Sequence, residues 1–201
     1  MALFVLFQMY DPAVRRFFKA WSSGPEGLIV ASSAKVRPAQ GLVLLVSKGP
    51  AGLSGCICAV DYHKSMLTHV WLVHSADEGS VENAGKIEEH CRGLGLAAGA
   101  VKVNRRVIEN VFSIEMAKAH IDFVRQEAHG YGIRDRDLIC DFTGMNKPVS
   151  AGVVLACVRP EHRLQYMEPL GFLEGGAPDP AAGSVPVEVD VRYDVEMVAE
   201  G

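Results

Sequence analysis

The chain has 201 residues, 49% hydrophobic and 22% charged: enough apolar material for one substantial core, and too apolar for a disordered segment. Its formal net charge of −4 excludes a broad basic face for duplex nucleic acid, while a small phosphorylated ligand held by a few local cations remains allowed. None of the five cysteines (Cys56, Cys58, Cys91, Cys140, Cys157) forms a Cys-x-x-Cys, and His69 and His74 stand five apart, off a common helix face. Neither metal nor cofactor is therefore expected, and the cysteines read as reduced thiols packed as small hydrophobes.

In chain order, residues 1–38 form an N-terminal extension and residues 39–201 the ligand-binding domain. Residues 2–10 are strongly apolar, and residues 11–21 are basic, aromatic and helical in pattern, with Arg15, Arg16, Lys19 and Trp21. The apolar run is about half the length that a bilayer requires. Three readings stay open: the end of a truncated membrane helix, an interfacial anchor touching the membrane through residues 2–21, or a segment packed on the domain or a second subunit.

From Gly41 the pattern becomes regular. Residues 41–46 are continuously apolar, as in a buried parallel strand, and residues 52–64 are helix-forming. Residues 68–74 make a second strand. Residues 80–92 follow as a helix with Ser80 at its N-cap, and residues 98–103 as a short third strand. Ile114, Ala117, Ile121, Val124 and Ala128 mark one face of a helix ending near Gly130. Residues 138–142, 147–158 and 163–167 then read as strand, helix and strand. A Gly/Pro/Ala loop, 175–183, leads to a last strand, 185–193, whose period-two alternation predicts a sheet edge. Strands alternating with helices give an α/β, doubly wound, mainly parallel sheet with a short N-terminal extension.

In such sheets ligands bind beyond the carboxyl ends of the strands, where the strand order reverses. Two glycine-rich turns are predicted there: Ser47 to Gly55, opening Ser47-Lys48-Gly49-Pro50, after the first strand, and Asp141 to Gly152, opening Asp141-Phe142-Thr143-Gly144-Met145-Asn146-Lys147-Pro148, before a helix. A helix N-terminus supplies unpaired N–H groups and partial positive charge, and Thr143, Asn146 and Lys147 add donors suited to phosphate. Asn104, Arg105 and Arg106, at the tail of the third strand, are expected to converge on the same edge.

The stretch from Asp141 to Gly152, with Arg163-Leu164-Gln165-Tyr166-Met167 behind it, resembles the late signature of CARF domains, the CRISPR-associated Rossmann-like sensors of cyclic oligoadenylates in type III CRISPR immunity. That signature usually reads Asp-x-Thr-Gly-Gly-Thr-Lys-x-Met-Ser, so Met145-Asn146 stands where Gly-Thr is usual. The resemblance covers the chain from about Gly41 onward and is looser at Ser47-Lys48-Gly49. It implies a Rossmann-like fold and a homodimer or higher oligomer binding a two-fold-symmetric ring, most commonly cyclic tetra-adenylate. Thr143, Gly144, Met145, Asn146 and Lys147 would lie on one side of the ligand, with Ser47, Lys48 and Gly49 on the other.

Two functions fit that resemblance. One is a sensor signalling through the N-terminal segment, as in family members that join the domain to a single membrane helix. Such a protein is a cytoplasmic domain attached to the inner membrane by its N-terminus. The other is a metal-independent ring nuclease, with Lys147 and Ser47 as the catalytic pair. A third reading, a dinucleotide-dependent oxidoreductase, draws on Gly49-x-x-Gly52-x-x-Gly55 and Asp77. It lacks the Gly-x-Gly-x-x-Gly spacing, and Pro50 removes an N–H that a pyrophosphate would use.

Overall fold

The computed structural model describes residues 28–33, 36–94, 101–159 and 161–193. Its elements are β1 (Leu28–Ser33), β2 (Gly41–Val46), α1 (Pro50–His63), β3 (His69–Ser75), α2 (Glu78–Gly93), β4 (Lys102–Ile108) and α3 (Ile114–Gly130). A 3-10 turn (Asp135–Asp137) then leads to β5 (Leu138–Asp141), α4 (Lys147–Ala156), β6 (Arg163–Pro169) and β7 (Ser184–Tyr193). The sheet has seven strands in the order β1-β7-β6-β5-β2-β3-β4. From β4 to β6 neighbouring strands run parallel, and β7 and β1 add antiparallel pairings at one side. This is a Rossmann-like, doubly wound α/β fold.

β2 is apolar at every position because both its faces are covered, and all six residues are buried. Val43, Leu45, Trp71, Val73 and Cys140 face one core with Ile121, Val124, Val149 and Val153 of α3 and α4. Leu42, Leu44, Val70, Leu72 and Ile139 face the other, with Ala59, Val60, Ala84 and Ile87 of α1 and α2. Truncating a fully buried residue such as Leu72 to alanine costs about 2–5 kcal/mol, since the surrounding sheet and helices cannot collapse into the space.

The chain winds from β2 outward to β4 with α1 and α2 on one face. It then crosses back through α3 to β5, and on to β6 with α3 and α4 on the other face. β2 and β5 are therefore neighbours whose following helices, α1 and α4, go to opposite faces, which is the reversal that marks a ligand crevice in such sheets.

Three expectations are corrected. The third strand is Lys102–Ile108 rather than 98–103, so Asn104, Arg105 and Arg106 lie within an edge strand and not beyond its end. The last strand, β7, is not an edge. Val187, Val189 and Val191 are buried on one face as the alternation implied, but β1 pairs along its outer side from Leu28↔Tyr193 to Ser33↔Glu188. Period two reports which face of a strand is solvated and says nothing about a neighbour beside it. Ser80 is not the cap of α2: Asp77 is, its carboxylate accepting the Ser80 N–H at 3.1 Å.

β1 lies inside the stretch read as an extension. The apolar run 2–10 and the basic-aromatic run 11–21 fall outside the described residues. Among the described residues no helix is long and apolar enough to cross a membrane. All five cysteines are free thiols.

Candidate functional site

The carboxyl ends of β2 and β5 each release a turn into a helix, and the two turns touch. A Cβ at Gly144 would overlap the Leu45 carbonyl at the end of β2, so only glycine permits the contact. Around this buried glycine, Lys48, Gly49, Thr143 and Lys147 are exposed, while Ser47, Met145 and Asn146 are half-buried. The eight residues expected to line the ligand (Ser47, Lys48, Gly49, Thr143, Gly144, Met145, Asn146 and Lys147) fall on two adjoining turns at the switch point.

Each turn is held from beneath. On the β2 side, Asn83 of α2 donates through Nδ2 to the carbonyls of Ser47 at 2.8 Å and Gly49 at 3.0 Å. Gly49 takes φ 94°, a value open to glycine, and caps α1 with no side-chain hydrogen bond. Gly52 lets the first turn of α1 lie against the Ser47 hydroxyl, where a Cβ would collide with it.

On the β5 side, the Thr143 N–H donates to Asp141 Oδ1 at 2.9 Å, and Thr143 Oγ1 accepts the Met167 N–H of β6 at 2.7 Å. Asn146 caps α4 by accepting the Val149 N–H at 3.3 Å. The Ser150 hydroxyl lies within 3.2–3.4 Å of the carbonyls of Phe142, Gly144 and Asn146. Met145 adopts φ 66°, the left-handed region where the resembled signature has glycine, and its side chain packs on the α3/α4 core.

Asp141 sits under the turn in a closed polar chain. The Ala39 N–H donates to His63 Nδ1 at 3.1 Å, which leaves the proton on Nε2 to donate to Gln165 Oε1 at 2.9 Å. Gln165 Nε2 then donates to Asp141 Oδ2 at 3.0 Å. Burial holds His63 down to about 4, against the hydrogen bond to Gln165, and burial raises Asp141 above the ordinary carboxylate range.

The first turns of the four described helices differ in charge. α2 begins with Asp77 and Glu78, and α3 with Ser113 and Glu115, acids where the helix dipole favours them. α1 and α4, released by the two turns of the crevice, have no acid in their first turns, although the start of α2 also packs on the β2 turn, with Gly79 against Lys48 and the Asp77 carboxylate held down in part by that lysine. α1 and α4 are flanked instead by Lys48 and Lys147, cations at the end where the dipole disfavours them. An anion seated between the turns would reverse that penalty.

Asn104, Arg105 and Arg106 do not join the site. Arg105 pairs with Glu88 of α2 at 2.6 Å and Arg106 with Glu127 of α3 at 2.7 Å, both at the β4 edge. Asp77 is engaged as a helix cap, held down to about 2 by hydrogen bonds from Ser75 and Ser80. The sequence reading missed Asn83, which nothing short of the α2-to-turn contact identifies. It also missed the β6–β7 connection, whose Pro180 carbonyl accepts from Ser54 Oγ at 2.9 Å at the start of α1.

No family model and no curated protein matches the sequence. Among solved structures, the chain is similar to a type III CRISPR defence DNA nuclease activated by cyclic oligoadenylate, with a TM-score of 0.48 and 17% identity over 90% of this chain and 26% of that one. It is also similar to Enterococcus italicus Csm6 bound to cyclic hexa-2'-fluoro-hexa-dAMP (TM-score 0.45, 12% identity, 65% of this chain and 33% of that one). A third is an NAD+-bound xylitol dehydrogenase, at TM-score 0.34 and 17% identity over 56% of this chain and 35% of that one. The chain therefore spans about a quarter to a third of the length of these proteins.

Proposed function

We propose that the crevice between the β2 and β5 turns binds a cyclic oligoadenylate, cyclic tetra-adenylate first among the ring sizes, and that the chain is a CARF-type sensor in type III CRISPR defence. The observation that carries this reading is the charge pattern at the crevice. The helices released by the two turns, α1 and α4, lack first-turn acids and are flanked by Lys48 and Lys147, and the nearby acid is Asp77, which caps α2 beside Lys48. Phosphates of the ring accept from the uncapped N–H groups of α1 and from Lys147. Thr143 and Asn146 lie beside them, and Ser47, Lys48 and Gly49 close the opposite side.

An isologous dimer offers a two-fold ring each turn twice. The output passes through the N-terminal segment, with membrane contact through residues 2–21 as its route and the domain held at the inner membrane. The second reading is a ring nuclease. Ser47 on one turn and Lys147 on the other flank the same crevice, so a ribose 2′-hydroxyl aligned there with its own phosphate would have a cation to stabilise the phosphorane.

Purified chain mixed with labelled cyclic tetra-adenylate should retain it, and Lys147→Ala should weaken retention about 10- to 100-fold at unchanged circular dichroism. Intact recovered ligand marks a sensor; linear products mark the nuclease and make Ser47→Ala the next variant. Failure to bind tetra-, tri- and hexa-adenylate rings would end both readings.

A further inference from the structure

Away from the crevice, beneath α3 and α4, lies a buried cluster that the binding reading does not use. Cys140, the residue of β5 before Asp141, and Cys157, at the C-cap of α4, are hydrogen-bonded to each other. Arg125 of α3, itself buried, places Nη2 at 3.1 Å from Cys157 Sγ and 3.8 Å from Cys140 Sγ. Its Nη1 reaches Asp135 at 3.4 Å, a carboxylate also approached by His129 at 3.2 Å and His162 at 3.7 Å. A guanidinium directed at two touching thiols is the environment that stabilises a thiolate.

We infer that Cys140 and Cys157 form a redox-modification site for a small peroxide, closing to an intramolecular disulfide that staples the end of β5 to the end of α4. The Cys140 thiolate attacks hydrogen peroxide: an S–O bond forms, the O–O bond breaks, and the departing hydroxide leaves as water after taking a proton. Cys157 sulfur then attacks the Cys140 sulfenic acid, forming the S–S bond and expelling the second oxygen as water. Each sulfur is oxidised by one electron, and the peroxide is reduced by two. Both sulfurs are buried, so the oxidant enters through local opening at the last turn of α4, a helix end. The staple encloses the whole Asp141–Lys147 turn. The inference does not depend on what that turn binds.

The other buried thiols provide an internal control. Burial pushes Cys56 up and Cys91 up to about 11, whereas the hydrogen bond from Cys157 and the charge of Arg125 hold Cys140 below the ordinary thiol value, and that same hydrogen bond, with burial, keeps Cys157 raised as the protonated partner.

In the test, the reduced full chain is exposed to hydrogen peroxide, alkylated in denaturant at intervals and mapped by peptide mass. The first product should be a Cys140–Cys157 disulfide, two hydrogens lighter and reversed by dithiothreitol, with Cys56 and Cys91 still alkylated. Cys157→Ser should leave a Cys140 sulfenic acid that dimedone traps. The wild-type rate should level off below the ordinary thiol range, about pH 8.5, and this reading needs no variant. Oxidation of the more exposed Cys58 while the pair stays reduced would overturn the proposal. So would oxidation of all the buried thiols in parallel, or a rate that climbs through the ordinary thiol range.

Discussion

His63 and Asp141 carry opposite pH dependence within one hydrogen-bond chain. Neutral His63 has a folded pKa of about 4 against about 6.5 unfolded. Its contribution is present above pH 6.5 and is lost as pH falls toward 4, because the unfolded chain binds the proton that the folded one refuses. Urea unfolding should show wild type losing roughly 2–3 kcal/mol from this source between pH 7 and pH 4.5. His63→Gln should be the less stable protein at pH 7, with the gap narrowing at pH 4.5; a gap independent of pH would remove His63 as the titrating group. Asp141, raised by burial, works the other way: its contribution is present at low pH and lost as pH rises through its folded pKa. Of these residues only Asp141 and Gln165 were visible in the motif, as polar positions amid apolar ones. His63 was hidden, since a histidine near a helix end announces nothing until Ala39 and Gln165 are seen around it.

Elements meet at two glycines of different consequence. Gly152 of α4 lies against α3, where an added Cβ would stand 2.5 Å from the Ile114 carbonyl and 2.6 Å from Ala117 Cβ. Gly144 lies against the Leu45 carbonyl between the two turns of the crevice. Gly152→Ala should cost about 1–3 kcal/mol by forcing the helices apart, yet retain ligand once folded. Gly144→Ala should cost a similar amount and also lose the ligand, because the turns themselves must separate. Denaturant titration and ligand retention on the same two proteins distinguish these outcomes; equal retention would detach Gly144 from the site. Most element positions were legible from apolar periodicity. Boundaries set by capping were less so: both Asp77 and Ser80 are good capping residues, and the choice follows from the Asp77 carboxylate reaching the Ser80 N–H and hydroxyl.

For the whole molecule, the sheet order determines which strand edge is exposed. β1 covers β7, so a fragment of residues 39–201, the domain read from the sequence, would present Ser184–Tyr193 as an open edge. That fragment should associate as its concentration rises, measured by light scattering, while a chain retaining β1 should not do so through this edge. Identical behaviour of the two would show that β7 tolerates exposure. Hydrogen exchange should be slowest in β2 and β3, which are buried and paired on both sides.

Taken alone, the amino-acid sequence determined the alternation of buried strands and helices from residue 41 onward, and the two turns rich in glycine and donors. Periodicity and turn chemistry are local properties, written in neighbouring residues. Tertiary structure decided the rest, because pairing is not local. It placed the 47–50 and 141–147 turns side by side and drew Asn83 under one of them. It turned Arg105 and Arg106 away to Glu88 and Glu127, and it set β1, from the stretch read as an N-terminal extension, along the strand that had looked like an edge.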